Sequence, residues 1–268
     1  LSDQQCILVT GMGHSATRLL VQLLCRHPDV SVPLAQLDPV QEFRPLHMWF
    51  VRAMDQTPLH SSEYWIDEDE LRLVLRAYEA NVDPDRAAFV IKQPYYPLYY
   101  LDFFAREYAG RLHLVYTERP IEKVIRSWQR ASGDWFFFEG PELLRQAKKL
   151  HPDDRARYLT DLATKNSTGY LRAVERHSVA LRDAWSAAHP ELPFTTVDME
   201  RLSHDDGHLR EILNVLGLSA EPAAQMLEIL DRDRLVKGKQ RRGKSVLRSV
   251  TPPVLWQLGR RLLGRGSS

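Results

Sequence analysis

Cysteine is scarce in this chain: its 268 residues hold two, Cys6 and Cys25. That excludes a small secreted scaffold stapled by disulfides. Both read as small apolar residues of a first strand and a first helix, with a Cys6–Cys25 bridge as the minor alternative. Long hydrophobic runs are missing too, and no stretch reaches the roughly 18 apolar residues of a membrane-spanning helix. An excess of one charge is also absent. Lys and Arg number 36 against 35 Asp and Glu, a formal net charge of +1, which argues against nucleic acid as a partner. Repeats and low-complexity tracts are not seen. What remains is the composition of an ordinary globular protein, 44% hydrophobic and 26% charged. The length suits one α/β domain with excursions, taken here as 1–268. The chain opens on Leu1 rather than Met, which leaves room for an upstream anchor or signal. With no such segment inside it, the expected location is cytoplasmic.

The most informative stretch is Ile7-Leu-Val-Thr-Gly-Met-Gly-His-Ser-Ala-Thr-Arg-Leu-Leu-Val-Gln-Leu-Leu24. A short apolar run stops at Gly11 and Gly13. Ala16, Leu19, Leu20, Leu23 and Leu24 then recur at helical spacing. The pattern predicts strand, tight loop and helix, with loop N–H groups and the helix N-terminus converging on an anion. Ser15 and Thr17 add hydroxyls; His14 and Arg18 add cationic or hydrogen-bonding groups. A nucleoside triphosphatase loop needs Gly-x-x-x-x-Gly-Lys-Ser/Thr. Counted from Gly11, those last three positions hold Ala16, Thr17 and Arg18, so the phosphate-binding Lys is missing.

Further strand-like runs at 88–92, 112–117 and 194–198 alternate with helical patterns, as in a parallel sheet covered by helices on both faces. Ligands in such sheets bind beyond the carboxyl ends of the strands. Lys92 follows the second run, Arg119 the third, and a turn follows Val197. With His14 they are expected to share one crevice. After Arg119-Pro120, an apolar stripe of Ile121, Val124, Ile125 and Trp128 predicts a helix with Pro120 at its first position.

These motifs resemble the sulfotransferases that use 3′-phosphoadenosine 5′-phosphosulfate (PAPS), most nearly those acting on glycans of the heparan sulfate type. His14-Ser15-Ala16-Thr17-Arg18 is similar to the family's 5′-phosphosulfate loop, and His27-Pro28-Asp29-Val30 follows it as in the glycan enzymes. Arg119, with Ser127 eight residues on, matches the family's pair for the 3′-phosphate. Lys92-Gln-Pro-Tyr-Tyr96 resembles the segment whose Lys faces the transferring sulfonate. Phe194–Leu202 with Leu209, Ile212, Leu213, Leu216 and Gly217 resembles a late strand, turn and helix. Lys237-Gly238-Lys239 opens what resembles the basic loop over the adenosine and 3′-phosphate.

The resemblance implies a three-layer α/β sandwich around a central parallel sheet, related to nucleotide kinases. It implies a donor core over about 5–130 and 190–245, a helical acceptor-side segment over about 131–190 and a basic helix over about 252–265. PAPS would be held by Gly13, His14, Ser15, Ala16, Thr17, Arg18, Arg119, Ser127, Lys237, Gly238 and Lys239, with no metal. The acceptor would be a hydroxyl, on a carbohydrate or a glycan-bearing molecule. His14 departs from the family, which carries Lys or Arg there, and Ala16 replaces a Gly. The acceptor's base is a family Glu whose position falls on Gln36; a small gap brings in Glu42, the favoured choice, or Asp38, with His47 behind both. Lys92, Arg18 and His14 supply charge at the sulfonate.

Each of these residues also has a plainer role available: Arg18 and Arg119 as surface arginines, Ser127 as a solvated helical serine. His204-Asp205-Asp206-x-His208 hints at metal ligands, but Asp206 reads more simply as an N-cap. The tail from Pro252 to Arg265 is basic and amphipathic, a docking helix or a peripheral membrane contact. Two rival functions remain at this stage: a PAP- or PAPS-binding protein that has lost turnover, and a kinase-like phosphotransferase.

Overall fold

The computed structural model describes residues 4–31, 43–132, 140–163, 167–202 and 205–228. Two compact units divide the chain, Leu1–Ala223 and Ala224–Ser268. The first holds the entire sheet; of the second, residues 224–228 are described, as helix.

The sheet has five parallel strands, β1 (Gln5–Gly11), β2 (Val30–Ser31), β3 (Ala88–Lys92), β4 (Leu112–Glu118) and β5 (Phe194–Asp198), in the order β2-β3-β1-β4-β5. The helices are α1 (Thr17–Leu24), α2 (Arg44–Gln56), α3 (Glu68–Glu79), α4 (Leu101–Glu107), α5 (Ile121–Ser132), α6 (Pro141–Ala147), α7 (Pro152–Ala163), α8 (Ser167–Ala188), α9 (Met199–Leu202) and α10 (Asp206–Val215).

Cys6, Ile7, Leu8 and Val9 of the central β1 are all fully buried. Successive side chains of a strand point to opposite faces, so this run requires both faces to be covered. Cys6, Leu8, Phe89, Ile91, Leu112 and Leu114 pack with Leu46, Trp49 and Phe50 of α2 and with Phe103 and Phe104 of α4. A second cluster joins Met12 and Tyr95 to Val124 and Ile125 of α5, Tyr158 of α7 and Tyr170, Leu171 and Val174 of α8. The first cluster fixes the sheet; the second fixes the loop beyond β1 against the helical segment.

The expected strands lie within a residue or two of the observed ones. β2 has no sequence signal because two residues carry no periodicity. Several local expectations need correction. Ala16 is not in α1 but caps it. Pro120 sits one residue ahead of α5, where its carbonyl accepts from Lys123 and Val124. Asp205, not Asp206, caps α10, accepting from the Gly207 N–H at 2.9 Å. The cysteines follow the favoured expectation: both are free, Cys6 buried and Cys25 partly so. The end of α10 follows expectation: Gly217, at φ +70°, lets the Leu218 N–H return to the Leu213 carbonyl at 2.8 Å.

Among the described residues no helix is long and apolar enough to cross a membrane. No group of three or more His, Cys, Asp or Glu gathers among them as a metal site.

Candidate functional site

Because all five strands are parallel, Gly11, Lys92, Glu118 and Asp198 end at one edge of the sheet. The loop after β1 is shaped by close approaches. Gly11 has φ +143°, and a Cβ there would stand 2.5 Å from Thr117 Oγ1, so only glycine lets the chain turn against β4. Ser15 is buried beneath the loop with its hydroxyl 2.7 Å from that of Thr117. His14 and Ala16 both take left-handed conformations, φ +68° and +71°. Alternating backbone handedness of this kind makes N–H groups converge. Ala16 offers α1 no side-chain cap, and no acidic residue stands in the helix's first turn. The N-terminus of α1 is therefore left to solvent or an anion.

Tyr95 presses on this loop from the turn after β3. A Cβ on Gly13 would lie 2.7 Å from the Tyr95 ring, so Gly13 is required by packing. Tyr95 has φ +61°, a strained backbone for a bulky residue. Its N–H bonds the Gly11 carbonyl at 3.0 Å, and burial pushes its phenol pKa well up.

Helix α5 closes on the loop from the other direction. Trp128 Nε1 donates to the Gly13 carbonyl at 3.1 Å, and its ring lies 4.6 Å from that of His14. His14 Nδ1 is 3.1 Å from Ser127 Oγ. The two motifs picked out as halves of a donor site are thus in direct contact.

The residues at the strand ends line two pockets on this side of the sheet. One, of about 420 Å³, is lined by Ser15, Thr117, Arg119, Asp198 and Glu200. The other, of about 520 Å³, is lined by His14, Arg18, Lys92, His47, Tyr95 and Lys149, among others. His14, Arg18 and Lys92 are therefore together as expected, with Gly13, Ala16 and Thr17. Arg119 is in the neighbouring cavity, its Nε 2.9 Å from Glu200 Oε1. Lys123 pairs with the same carboxylate, and the hydrogen bonds from Lys123 and Arg119 hold Glu200 below the usual carboxylate range. Glu42, Asp38, Lys237, Gly238, Lys239 and the basic segment 252–265 lie outside the described residues.

Sequence reasoning did not find Glu142, Arg145 and Lys149, which the helical segment brings to the larger cavity. Arg145 is paired with Asp55 at 2.8 Å and with Glu142. A polar residue on an amphipathic helix carries no mark of which cavity it will face, so no signal was there to read.

No known family's sequence model matches the chain, and no curated protein matches it in sequence. Solved structures do. A sulfotransferase from Alicyclobacillus acidocaldarius aligns over 86% of this chain and 96% of its own, at 15% identity and a TM-score of 0.52. The sulfotransferase domain of a Synechococcus olefin synthase aligns over 83% and 77%, at 15% identity and a TM-score of 0.45. A Mycobacterium tuberculosis sulfotransferase aligns over 84% and 71%, at 18% identity and a TM-score of 0.43. The first of these carries the fold. The chain has a sulfotransferase-like α/β fold, a central five-stranded parallel sheet flanked by helices.

Proposed function

We propose that this protein is a sulfotransferase that moves a sulfonate from PAPS to an acceptor hydroxyl, on a carbohydrate or a glycan-bearing molecule. The observation that supports it best is the contact of His14 with Ser127, at 3.1 Å, beside an uncapped α1 N-terminus. A loop suited to a 5′-phosphosulfate and a helix suited to a 3′-phosphate are joined at one point, with Arg18 and Lys92 beside them.

In this reading the loop N–H groups and α1 receive the 5′-phosphosulfate. Arg119 and Ser127 take the 3′-phosphate, with Lys237, Gly238 and Lys239 closing over the nucleotide. The acceptor oxygen attacks sulfur in line, and the bond from sulfur to the 5′-phosphate oxygen breaks. PAP leaves with the electron pair, and a carboxylate, Glu42 or else Asp38, takes the acceptor's proton. His14, Arg18 and Lys92 neutralise charge on the leaving oxygen and the sulfonate. No step needs a metal. The protein works as a peripheral or cytoplasmic enzyme, with the basic tail as the candidate membrane contact.

The test is transfer of label from sulfonate-labelled PAPS to a panel of polysaccharides bearing free hydroxyls, without Mg²⁺. Label on a polysaccharide is the expected result. Consumption of ATP with Mg²⁺, and of no PAPS with any acceptor, would make the protein a kinase instead.

A further inference from the structure

Three cations are buried close together around the junction of α6 and α7: Lys148, Lys149 and Arg155. Burying a charge costs several kcal/mol per ion unless it is paired and hydrogen-bonded. Two of the three are hydrogen-bonded, though not ion-paired. Lys148 Nζ donates to the carbonyls of Met54 at 2.6 Å and Asp55 at 3.2 Å. Arg155 donates to the carbonyls of Leu150, Leu59 and Ser61 and to the Tyr64 hydroxyl.

Lys149 is treated differently. The residue is 5% exposed, no hydrogen bond or ion pair holds its Nζ among the described residues, and that atom is not fully enclosed, so it opens on the cavity. Its contacts are the faces of two rings, Tyr95 at 4.8 Å and Tyr96 at 5.0 Å from their centroids. Such faces attract a cation but do not replace a hydrogen-bond acceptor. Glu142 is near enough to act on it through space without forming an ion pair, and Arg145 opposes it. Burial pushes the ammonium down to about 8, which leaves it mostly charged at neutral pH. The ammonium therefore faces the larger cavity, held by no protein acceptor among the described residues, in company with Arg18 and Lys92. One side of its cage, Tyr95, is the ring packed on Gly13 of the loop.

We propose that Lys149 is an oxyanion-binding residue of this cavity, taking a sulfonate, sulfate or carboxylate oxygen through its ammonium. Its location fits two sources of such a group: the sulfonate of the donor, or an acidic substituent of the acceptor. The choice between them rests on the sulfotransferase reading; the site itself does not.

Inorganic sulfate serves as the probe, titrated into the intact protein and into Lys149→Met and Lys149→Arg, alongside PAP and PAPS. The expected result is sulfate binding that falls at least about ten-fold in Lys149→Met and is largely restored in Lys149→Arg. PAP affinity should stay within about two-fold of the parent, since PAP lacks the sulfonate. A PAPS-over-PAP preference that shrinks in Lys149→Met assigns the site to the donor's sulfonate. A preference that is unchanged while sulfate binding is lost assigns it to the acceptor. Sulfate binding that is absent from the parent, or equal in parent and Lys149→Met, overturns the proposal. So does a parallel loss of sulfate and PAP in both variants, which would mark Lys149 as structural. A parent that binds sulfate through Lys149 but not PAP would sink the sulfotransferase reading and leave this site standing.

Discussion

The Nδ1 of His14 and the hydroxyl of Ser127 lie 3.1 Å apart, although 113 residues separate them in the chain. The contact couples the loop after β1 to the middle of α5. Replacing each by Ala, singly and together, should give PAP affinities that do not add. We expect a coupling of at least about 0.5 kcal/mol by calorimetric titration. Additive losses would mean that the bond is not kept when nucleotide is bound.

In the proposed function Arg119 takes the 3′-phosphate; its Nε lies 2.9 Å from Glu200 Oε1. A hydrogen bond between charged groups contributes about 1.5–3 kcal/mol. Arg119→Ala should therefore weaken PAP binding by roughly 10–100-fold and change AMP binding by less than about three-fold. Equal losses for both nucleotides would remove Arg119 from the 3′-phosphate.

Two loop positions should respond to substitution in opposite directions. Ala16 holds φ +71°, where a side chain costs roughly 1–2 kcal/mol, part of which is offset by the freedom glycine has when unfolded. Ala16→Gly should raise the melting temperature by about 1–3 °C. Gly13→Ala forces a Cβ to within 2.7 Å of the Tyr95 ring. It should lower stability by about 1–3 kcal/mol and weaken PAP binding. Differential scanning calorimetry reads both.

Stability should also fall in mild acid. His113 is buried with its Nε2 2.8 Å from Thr195 Oγ1, and burial pushes its imidazole down to about 4. The unfolded chain takes up a proton near pH 6.5 that the folded chain refuses until about pH 4. His113's contribution is thus complete above pH 6.5 and is lost as the pH falls through that window, at up to about 1.4 kcal/mol per pH unit. His113→Gln should flatten the melting profile between those limits. An unchanged slope would assign the acid sensitivity to other groups.

Much of this fold is legible in the sequence for a physical reason. β1, β3 and β4 are buried on both faces, so each carries a largely apolar stretch, Cys6–Val9, Ala88–Ile91 and Leu112–Tyr116 (broken only by His113), and closes on Gly, Lys or Glu. The loop is legible because Gly11 and Gly13 are demanded by contacts with Thr117 and Tyr95, and glycine is a residue that sequence displays openly. Backbone strain is not displayed: nothing in Lys92-Gln-Pro-Tyr-Tyr96 marks Tyr95 for φ +61°. Lys149 is the clearest failure. In sequence it is half of an exposed-looking Lys pair, and its place over the rings of Tyr95 and Tyr96 comes only with the fold.

The most direct test of the donor assignment is a calorimetric comparison of PAP, ADP and AMP, each with and without Mg²⁺. A PAPS-type site predicts PAP binding well ahead of ADP and AMP, with no effect of Mg²⁺. ADP with Mg²⁺ equalling or exceeding PAP would contradict the assignment and return the loop to phosphoryl transfer.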